Sequence, residues 1–323
     1  MSKLDEKKII AIFQKKIVEN FVGEDVEIFR LGKNFGVIKT DTLVQSTDVP
    51  PQMSPEQIAR KSIVGPLSDF ASKGVKPKHG IISMSLPKNY PKAKIVRLAR
   101  GFHTASKQFG VKILGGDTNE AKEIVISVML FGVAKQIVPR GGAKKGDIIV
   151  TTGTFGKTGA GLDILLHRKR SHGKFKKDAI ESVLLPKPRL EFGIVASKYL
   201  RSSMDSSDGL STTLTEMAKS SKKKFIITNI PKENGLEEFA KNNKRSSADL
   251  VFNSGEEYEI VATVSPKNIS KITKIAKTCK INLIQIGHVQ NGKDVFVQSG
   301  IKTVKLNDGG WRHFSQFRLR NAT

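Results

Sequence analysis

Aspartates recur beside threonine, serine and glycine at the ends of apolar runs, and they are the residues best suited to chemistry. The clearest are Asp41, Asp69, Asp117 and the pair Asp205 and Asp208, which brackets two serines. Mg²⁺ prefers a few carboxylate oxygens together with phosphates and water, and small Gly and Ser neighbours let a phosphate approach the backbone. Each aspartate alone also fits a turn or a helix N-cap. A metal and phosphate site therefore requires several of them to converge.

Spacing and composition exclude several other kinds of site. The stretch Gly156-Lys157-Thr158 ends like a P-loop, but the required first glycine would fall where Thr151 stands. The six histidines lack zinc-site spacing, and no Gly-x-Ser-x-Gly nucleophile elbow occurs. The single cysteine, Cys279, excludes an intramolecular disulfide and is typical of a reducing, cytoplasmic compartment. We also expect no signal peptide and no membrane span.

A succession of helices and strands must position the aspartates. We predict an amphipathic helix over the first 20 residues, and a helix that begins at the N-cap Ser54, with a capping box to Gln57, and ends near Lys73. We predict strands at 26–31, 35–39, 78–86, 111–115, 123–133, 148–152, 224–228, 257–264 and 282–288, and helices at 91–108, 188–199, 210–221 and 267–278.

This order of elements predicts the fold class. Strands and helices alternate without a clean βαβ repeat, which indicates two α/β or α+β domains rather than one barrel. A Gly-rich, lysine-containing stretch at 141–147 changes the composition abruptly. We therefore place the boundary near Pro139, with domains at 1–139 and 140–323. A Gly/Thr-rich loop at 153–161 then leads into a helix of the second domain.

The net charge is the unusual global property. With 55 Lys and Arg against 30 Asp and Glu, the chain carries a formal charge of +25. Such a surplus raises nucleic-acid binding as an alternative function, or a field that attracts anionic metabolites. The basic clusters at 168–177 and 222–224 lack interleaved aromatics beyond Phe175 and match no nucleic-acid fold signature. We interpret them as solvated surface and do not expect a nucleic-acid partner.

Taken in order, the motifs are specific for one family. They are Thr40-Asp41-Thr42-Leu43-Val44, Leu67-Ser68-Asp69, Gly115-Gly116-Asp117-Thr118, Arg140-Gly141-Gly142, Asp205-Ser206-Ser207-Asp208-Gly209 and Gly255-Glu256-Glu257-Tyr258-Glu259. With these motifs the chain resembles the thiamine-monophosphate kinases of the PurM-like, AIR-synthetase-related superfamily. Thr47-Asp48-Val49-Pro50-Pro51 resembles the archaeal versions.

The resemblance implies a two-domain PurM-like fold, a homodimer joined through N-terminal strands, and phosphorylation of thiamine phosphate to thiamine diphosphate. It implies ATP as co-substrate and several Mg²⁺ ions, with direct in-line transfer and no side-chain base. By motif matching, the implied metal ligands are Thr40, Asp41, Asp69, Asp117, Asp205 and Asp208. The implied ATP contacts are Gly116, Asp117, Arg140 and Ser207, and the implied substrate contacts are Asp48, Glu256 and Trp311.

The chain departs from the family pattern in ways that leave alternatives open. The early Gly-Asp-Asp motif is expected at Gly32-Lys33-Asn34, where both carboxylates are missing. The bacterial His-Phe after the Thr-Asp motif is replaced near Asp48, and Gly-Gly-Glu-Asp-Tyr-Glu reads Ser254 to Glu259 with Glu257 in place of Asp. Alternatives are therefore a kinase for another phosphorylated acceptor, or a PurM-like ATP-binding protein without activity.

Overall fold

Two sheets, each covered by helices, organise the chain. The computed structural model describes residues 6–17 and 23–314. Its helices are α1 (Glu6–Ile17), α2 (Gln45–Asp48), α3 (Pro55–Ser72), α4 (Lys92–Phe109), α5 (Lys157–His167), α6 (Gly173–Leu184), α7 (Leu190–Ala196), α8 (Leu210–Ser221), α9 (Leu236–Asn242), α10 (Ser247–Asn253) and α11 (Ile269–Thr278). Its strands are β1 (Glu27–Leu31), β2 (Asn34–Val44), β3 (Pro77–Leu86), β4 (Lys112–Glu120), β5 (Val125–Ala134), β6 (Ile148–Thr151), β7 (Leu200–Asp205), β8 (Lys224–Ile227), β9 (Ile260–Val264), β10 (Ile284–Gln290), β11 (Val295–Ser299) and β12 (Lys302–Lys305).

The N-terminal sheet has the strand order β1-β2-β5-β3-β4 and is antiparallel except for the pair β3 and β4. On β5, Ile126, Val128 and Leu130 are buried and alternate with partly exposed residues, so one face of the sheet lies on the core. Helices α3 and α4 pack together, and α3 lies against β2 and β5. The opposite face, which we call the open face, is not covered by any described helix.

The second sheet has seven strands in the order β12-β11-β8-β10-β6-β9-β7. Helices α5, α8, α9 and α10 contribute to its main core with Ala160, Leu214, Leu236 and Phe252, all buried. Among the described residues, no helix is long and apolar enough to cross a membrane. The chain therefore folds as two mixed α/β units, as the sequence predicts.

Helix α3 joins the two units. Fourteen of its 18 residues are buried, because it contacts β2 and β5 on one side and α7, β7 and β9 on the other. A Cβ on Gly193 of α7 would lie only 1.9 Å from the carbonyl oxygen of Ala71, so α7 needs glycine where it crosses α3. The predicted start is confirmed, since Ser54 and Gln57 form a capping box. The charged side chains of Lys61 and Asp69 on α3 consequently lie at the junction of the two units, beside Glu256 and Asp205 of the second unit.

Several predicted bounds are wrong. Strand β2 extends to Val44, so Asp41 lies inside a strand and not at its end. Strand β4 runs to Glu120 and is mostly exposed rather than short and buried, because it is an edge strand paired only with β3. The strand predicted at 257–264 begins at Ile260.

The helix predicted at 188–199 is shorter and ends in a 3₁₀ turn, and helices α6, α9 and α10 were not predicted. The first-helix prediction is confirmed over Glu6–Ile17, and its other residues lie outside the described ranges. Cys279 caps α11 and packs beside an apolar cluster. The domain boundary near Pro139 stays a prediction.

Candidate active site between the two units

Three of the predicted carboxylates converge around one lysine. The Nζ atom of Lys39 lies 3.3 Å from Asp41 Oδ1 and 3.0 Å from Asp69 Oδ2. The charges of Asp69, Asp41 and Asp205 outweigh the effect of burial and raise the pKa of Lys39. These groups come from strand β2, helix α3 and strand β7, so both units contribute to the cluster. We call Lys39, Asp41, Asp69 and Asp205 the acidic cluster.

Strand and helix geometry explain why the cluster forms. Residues 37, 39, 41 and 43 share the core face of β2, and Val37 and Leu43 are buried there. Lys39 and Asp41 are therefore charged residues on an apolar face that α3 covers. A Cβ on Gly65 would lie 3.2 Å from Asp41 Oδ2, which shows that α3 passes directly over this carboxylate.

Burial makes these carboxylates costly to ionise. Asp205 is 2% exposed, and burial, reinforced by the charge of Asp25, raises its pKa to about 7. Burial also raises the pKa of Asp69 well above its ordinary value, although the charge of Lys39 opposes this. Buried carboxylates in mutual repulsion are stabilised by an added cation. The cluster is therefore suited to bind positive charge.

A second ion network, centred on the buried Lys73 and Asp25, adjoins the cluster. The Nζ atom of Lys73 lies 2.7 Å from Glu24 Oε2 and 2.6 Å from Asp25 Oδ2, and it also donates to the carbonyl oxygen of Ser203. Arg140 pairs with Asp25 through its guanidinium, and its backbone N–H donates to Glu24. Burial would raise the pKa of Asp25, but the charges of Lys73 and Arg140 hold it below the ordinary value.

This network corrects the position expected for the early acidic motif. Gly32-Lys33-Asn34 forms the β1–β2 turn, where Gly32 has a φ of 59°, and Lys33 is exposed. The acidic pair next to the cluster is instead Glu24 and Asp25, directly after Gly23. The prediction that the chain lacks this pair is wrong. The available signal was a glycine followed by two acids just before the first strand.

Two predicted metal ligands lie on the other face of the N-terminal sheet. Thr40 alternates with Asp41 along β2 and is exposed. Asp117 is in register with Ser83, which is in register with Ser127, and the hydroxyl of Ser127 bonds that of Thr42 at 2.8 Å. Strand β4 is three strand spacings, roughly 14 Å, from β2. Within one chain, Thr40 and Asp117 therefore do not join the acidic cluster.

Gly116 has a clear structural reason to be glycine. A Cβ at this position would lie 1.6 Å from the carbonyl oxygen of Ile82 on β3. Its exposed backbone on the edge strand leaves room for a ligand to approach. Its role in binding ATP stays a prediction.

Lys61 connects two of the predicted substrate contacts. Its buried ammonium, on α3, lies 2.6 Å from Glu256 Oε1 and donates at 2.6 Å to the carbonyl oxygen of Asp48. The Asp48 carboxylate accepts a 2.7 Å bond from the backbone N–H of Val44 and so closes its own turn. We predicted no role for Lys61 from the sequence, although a lysine within a largely apolar helix is a usable signal.

The segment 254–259 is fixed by bonds on both sides. Glu256 and Tyr258 have φ values of 65° and 53°, which L-residues seldom adopt. Between them, Glu257 accepts bonds from the backbone N–H groups of Gly156 (2.7 Å) and Thr158 (3.1 Å) at the start of α5. The N–H groups at the start of α5 therefore bind the Glu257 carboxylate of this protein.

The same segment continues into a second ion pair. Glu259 pairs with Arg189 and accepts a bond from the Thr152 hydroxyl. The backbone N–H of Glu256 donates to the carbonyl oxygen of Ser207 at 2.6 Å. The segment thereby fixes the position of the loop that carries Ser207 and Asp208.

Trp311 lies beside this loop. Its backbone N–H donates at 2.9 Å to the carbonyl oxygen of Asp208, and its half-buried ring contacts His313 edge-on at 6.1 Å between centroids. Ser207 is partly exposed and Asp208 is exposed. The structure therefore brings Ser207, Asp208, Glu256 and Trp311 to one region, and their roles toward ligands stay predictions.

The fold and the charged junction define a class of two-domain α/β proteins. Residues 23–134 match the family model for the N-terminal domain of AIR synthase related proteins, and residues 144–300 match the model for its C-terminal domain. Hydrogenase maturation proteins share this fold at 20% identity or less, with TM-scores of 0.66 to 0.75.

Closer relatives identify the family within this class. The chain is 54% identical over 314 residues to a thiamine-monophosphate kinase of Nitrosopumilus maritimus, which covers 97% of this chain and all of that protein. It is 32% identical to a thiamine-monophosphate kinase of Pyrococcus horikoshii, with 97% of both chains covered. A solved structure described as AaThiL complexed with AMPPCP and TMP superposes with a TM-score of 0.87 at 27% identity, covering 97% of this chain and 98% of that one. The chain belongs to the thiamine-monophosphate kinase family.

Proposed function

We propose that this protein transfers the γ-phosphoryl group of ATP to thiamine phosphate and so forms thiamine diphosphate. Family membership over the whole chain supports the reaction. The structural observation that carries it is the convergence of Asp41, Asp69 and Asp205 around a cation, at the junction of the two units. Two polyanions must meet in line here, and their repulsion must be cancelled.

The donor set fits Mg²⁺. Buried carboxylate oxygens are hard ligands, the Ser206 hydroxyl beside Asp205 is buried without a hydrogen-bond partner in the described residues, and the pKa of Asp205 is raised by burial. Among the described residues, no three acidic, His or Cys side chains lie together in an arrangement that could hold a metal ion as they stand. We propose Asp41, Asp69, Asp205 and Asp208 as ligands from one chain. Bound Mg²⁺ would supply charge neutralisation between the phosphates.

The chain's own residues would position the reactants. We propose Gly116, Asp117, Arg140 and Ser207 for ATP, although the Arg140 guanidinium is paired with Asp25 in this structure. We propose Asp48, Glu256 and Trp311 for thiamine phosphate, since Trp311 can stack on a cationic or aromatic ring. The acceptor phosphate is already anionic, so no side-chain base is assigned.

We propose a homodimer, because the predicted site is split between two faces of the N-terminal sheet. The open face carries Thr40 and Asp117 together with partly exposed apolar side chains, among them Phe29 (44% exposed), Ile81 (40%) and Phe131, which stacks on Phe29. A second copy placed on this face would cover these side chains. It would also bring its own Thr40 and Asp117 to the interface. A cytoplasmic location stays a proposal that rests on the cysteine content.

The experiment is a product assay with a panel of acceptors. Purified protein, ATP and Mg²⁺ are incubated with thiamine phosphate, thiamine or other phosphate esters, and products are separated by chromatography. Formation of thiamine diphosphate with thiamine phosphate supports the proposal. ADP formation that requires a different acceptor would make the named substrate wrong, and no turnover with any acceptor would favour a binding protein.

A further inference from the structure

We infer that Lys39 is a tethered cation that holds the acidic cluster together in the metal-free protein, and that a divalent cation must displace its ammonium in order to bind. The inference rests on the proposed use of this cluster for Mg²⁺. It concerns what the cluster does before Mg²⁺ and ATP arrive, which the proposed reaction leaves open.

The contacts place the ammonium where a shared metal ion would need to be. Lys39 Nζ is within 3.3 Å of oxygens from both Asp41 and Asp69, so it bridges strand β2 and helix α3. A divalent ion bound by the same two oxygens would have to lie between them. Both cations therefore compete for one position.

The position of Lys39 on β2 explains why it is held there. Its neighbours on the core face, Val37 and Leu43, are buried, and its register partner Leu130 on β5 is fully buried. A charged side chain on this face needs compensation. Asp41, two residues along the same strand, and Asp69 from α3 provide it.

The ammonium is nevertheless able to leave. Its side chain is 25% exposed, in contrast to that of Lys73, which is completely buried. A lysine carries one compact charge on a flexible four-carbon stem, so it can swing toward solvent when an ion with two charges takes the carboxylates. The carboxylates of the cluster are then compensated by the lysine ammonium before a divalent ion binds and by that ion afterwards. The consequence is a weaker apparent affinity for divalent ions than the carboxylates alone would give.

The test measures metal binding without turnover. Mn²⁺ binding to the full-length protein is followed by the loss of the free-ion electron paramagnetic resonance signal, in the absence of nucleotide, for wild type, Lys39→Met and the control Lys33→Met. Lys33 lies in the exposed β1–β2 turn. We expect Lys39→Met to bind Mn²⁺ about tenfold more tightly than wild type, and Lys33→Met to bind as wild type does. Equal or weaker binding by Lys39→Met would overturn the inference.

Thermal unfolding without metal provides the second readout. Lys39→Met should unfold at a lower temperature than wild type and regain the difference with Mg²⁺, whereas Lys39→Arg, which keeps the charge, should remain stable without metal. If Lys39→Met does not fold without metal, the unfolding temperature of Lys39→Arg compared with that of wild type still tests whether the charge stabilises the cluster. Equal destabilisation by Arg and Met would contradict a role for the charge. The two proposals can fail separately. If Lys39→Met binds metal more tightly but wild type forms no thiamine diphosphate, the proposed reaction is rejected and this inference stands.

Discussion

Neighbouring charges, rather than burial alone, decide whether a buried aspartate of this protein is ionised. Asp25 and Asp205 are both nearly inaccessible, yet the pKa of Asp25 is lowered by Lys73 and Arg140 while that of Asp205 is raised to about 7. Opposite charges in contact favour ionisation, and burial beside like charges disfavours it. The two carboxylates therefore divide between a permanent ion network and a site that awaits a cation.

Replacement of Lys73 by methionine should strongly destabilise the protein. The substitution would leave the buried Asp25 and the partly exposed Glu24 without their shared ammonium, and breaking a buried pair in this way costs about 3–5 kcal/mol. Denaturant unfolding measures the difference, with Lys76→Met, an exposed neighbour, as control. A loss below about 1 kcal/mol, the range of an exposed pair, would contradict the account of this network.

Glu257 should make stability depend on pH. Burial, offset in part by the bonds from Thr158 and Gly156, raises its pKa from 4.5 to about 7. Between these two pH values, Glu257 holds a proton in the folded state that it releases in the unfolded state. Its contribution to the free energy of unfolding is therefore complete below pH 4.5 and is lost as pH rises to about 7. The loss is on the order of 1–3 kcal/mol.

Glu257→Gln tests this effect. Its amide oxygen can still accept the two N–H bonds, but the side chain cannot ionise. Unfolding free energies measured from pH 4.5 to 8 should fall less steeply than in wild type, whereas the exposed variant Glu181→Gln should follow wild type. Parallel profiles for Glu257→Gln and wild type would show that Glu257 does not titrate in this range.

Helix α3 is the element on which the site depends, because it carries Lys61 and Asp69 and is followed directly by Lys73. Its sequence gave clear signals for its start, Ser54-Pro55 with Gln57, and for its end before Gly74, whose φ is 70°. Its partners could not be predicted from the sequence, because contacts with α7, β7 and β9 depend on how the two units meet.

Lys61→Met should loosen the acceptor side of the site. The substitution removes the cation that joins Glu256 to the carbonyl oxygen of Asp48. We expect the KM for thiamine phosphate to rise about tenfold with little change in the KM for ATP. Steady-state kinetics with each substrate varied in turn measures this, and Lys61→Arg should recover part of the loss. A similar rise in both KM values would indicate general distortion instead.

Local patterns predicted elements better than they predicted which residues meet. The motif around Asp69 and the strand around Asp41 were recognisable, and so were the two domains. Lys39 could not be assigned, because its meaning comes from α3 lying over the core face of β2. The true acidic pair was missed because Lys33 and Asn34 occupied the expected place, although Glu24 and Asp25 stood nine residues earlier.

Across the whole molecule, the basic residues behind the net charge of +25 and the residues of the acidic cluster lie in different environments. The cluster residues are buried or half-buried, whereas most of the basic residues at 168–177 are exposed. The surplus is therefore a surface property that can attract anionic substrates.

The proposed dimer makes a prediction at this scale. Ile81→Lys places a charge on the open face of the N-terminal sheet, and the dimer dissociation constant should rise by about two orders of magnitude. Analytical ultracentrifugation measures this, and Ile301→Lys, a fully exposed position near β12, should leave the dimer intact. A wild-type protein that sediments as a monomer throughout would contradict the proposed assembly.

We propose that buried carboxylates from both units hold Mg²⁺, which would neutralise the phosphates during transfer. The most direct measurement is the rate of thiamine diphosphate formation from ATP and thiamine phosphate by wild type, Asp69→Asn and Asp178→Asn, a partly exposed control on α6. We predict that Asp69→Asn lowers the rate by about 100-fold or more while Asp178→Asn matches wild type. An Asp69→Asn variant that forms product at the wild-type rate would contradict the claim.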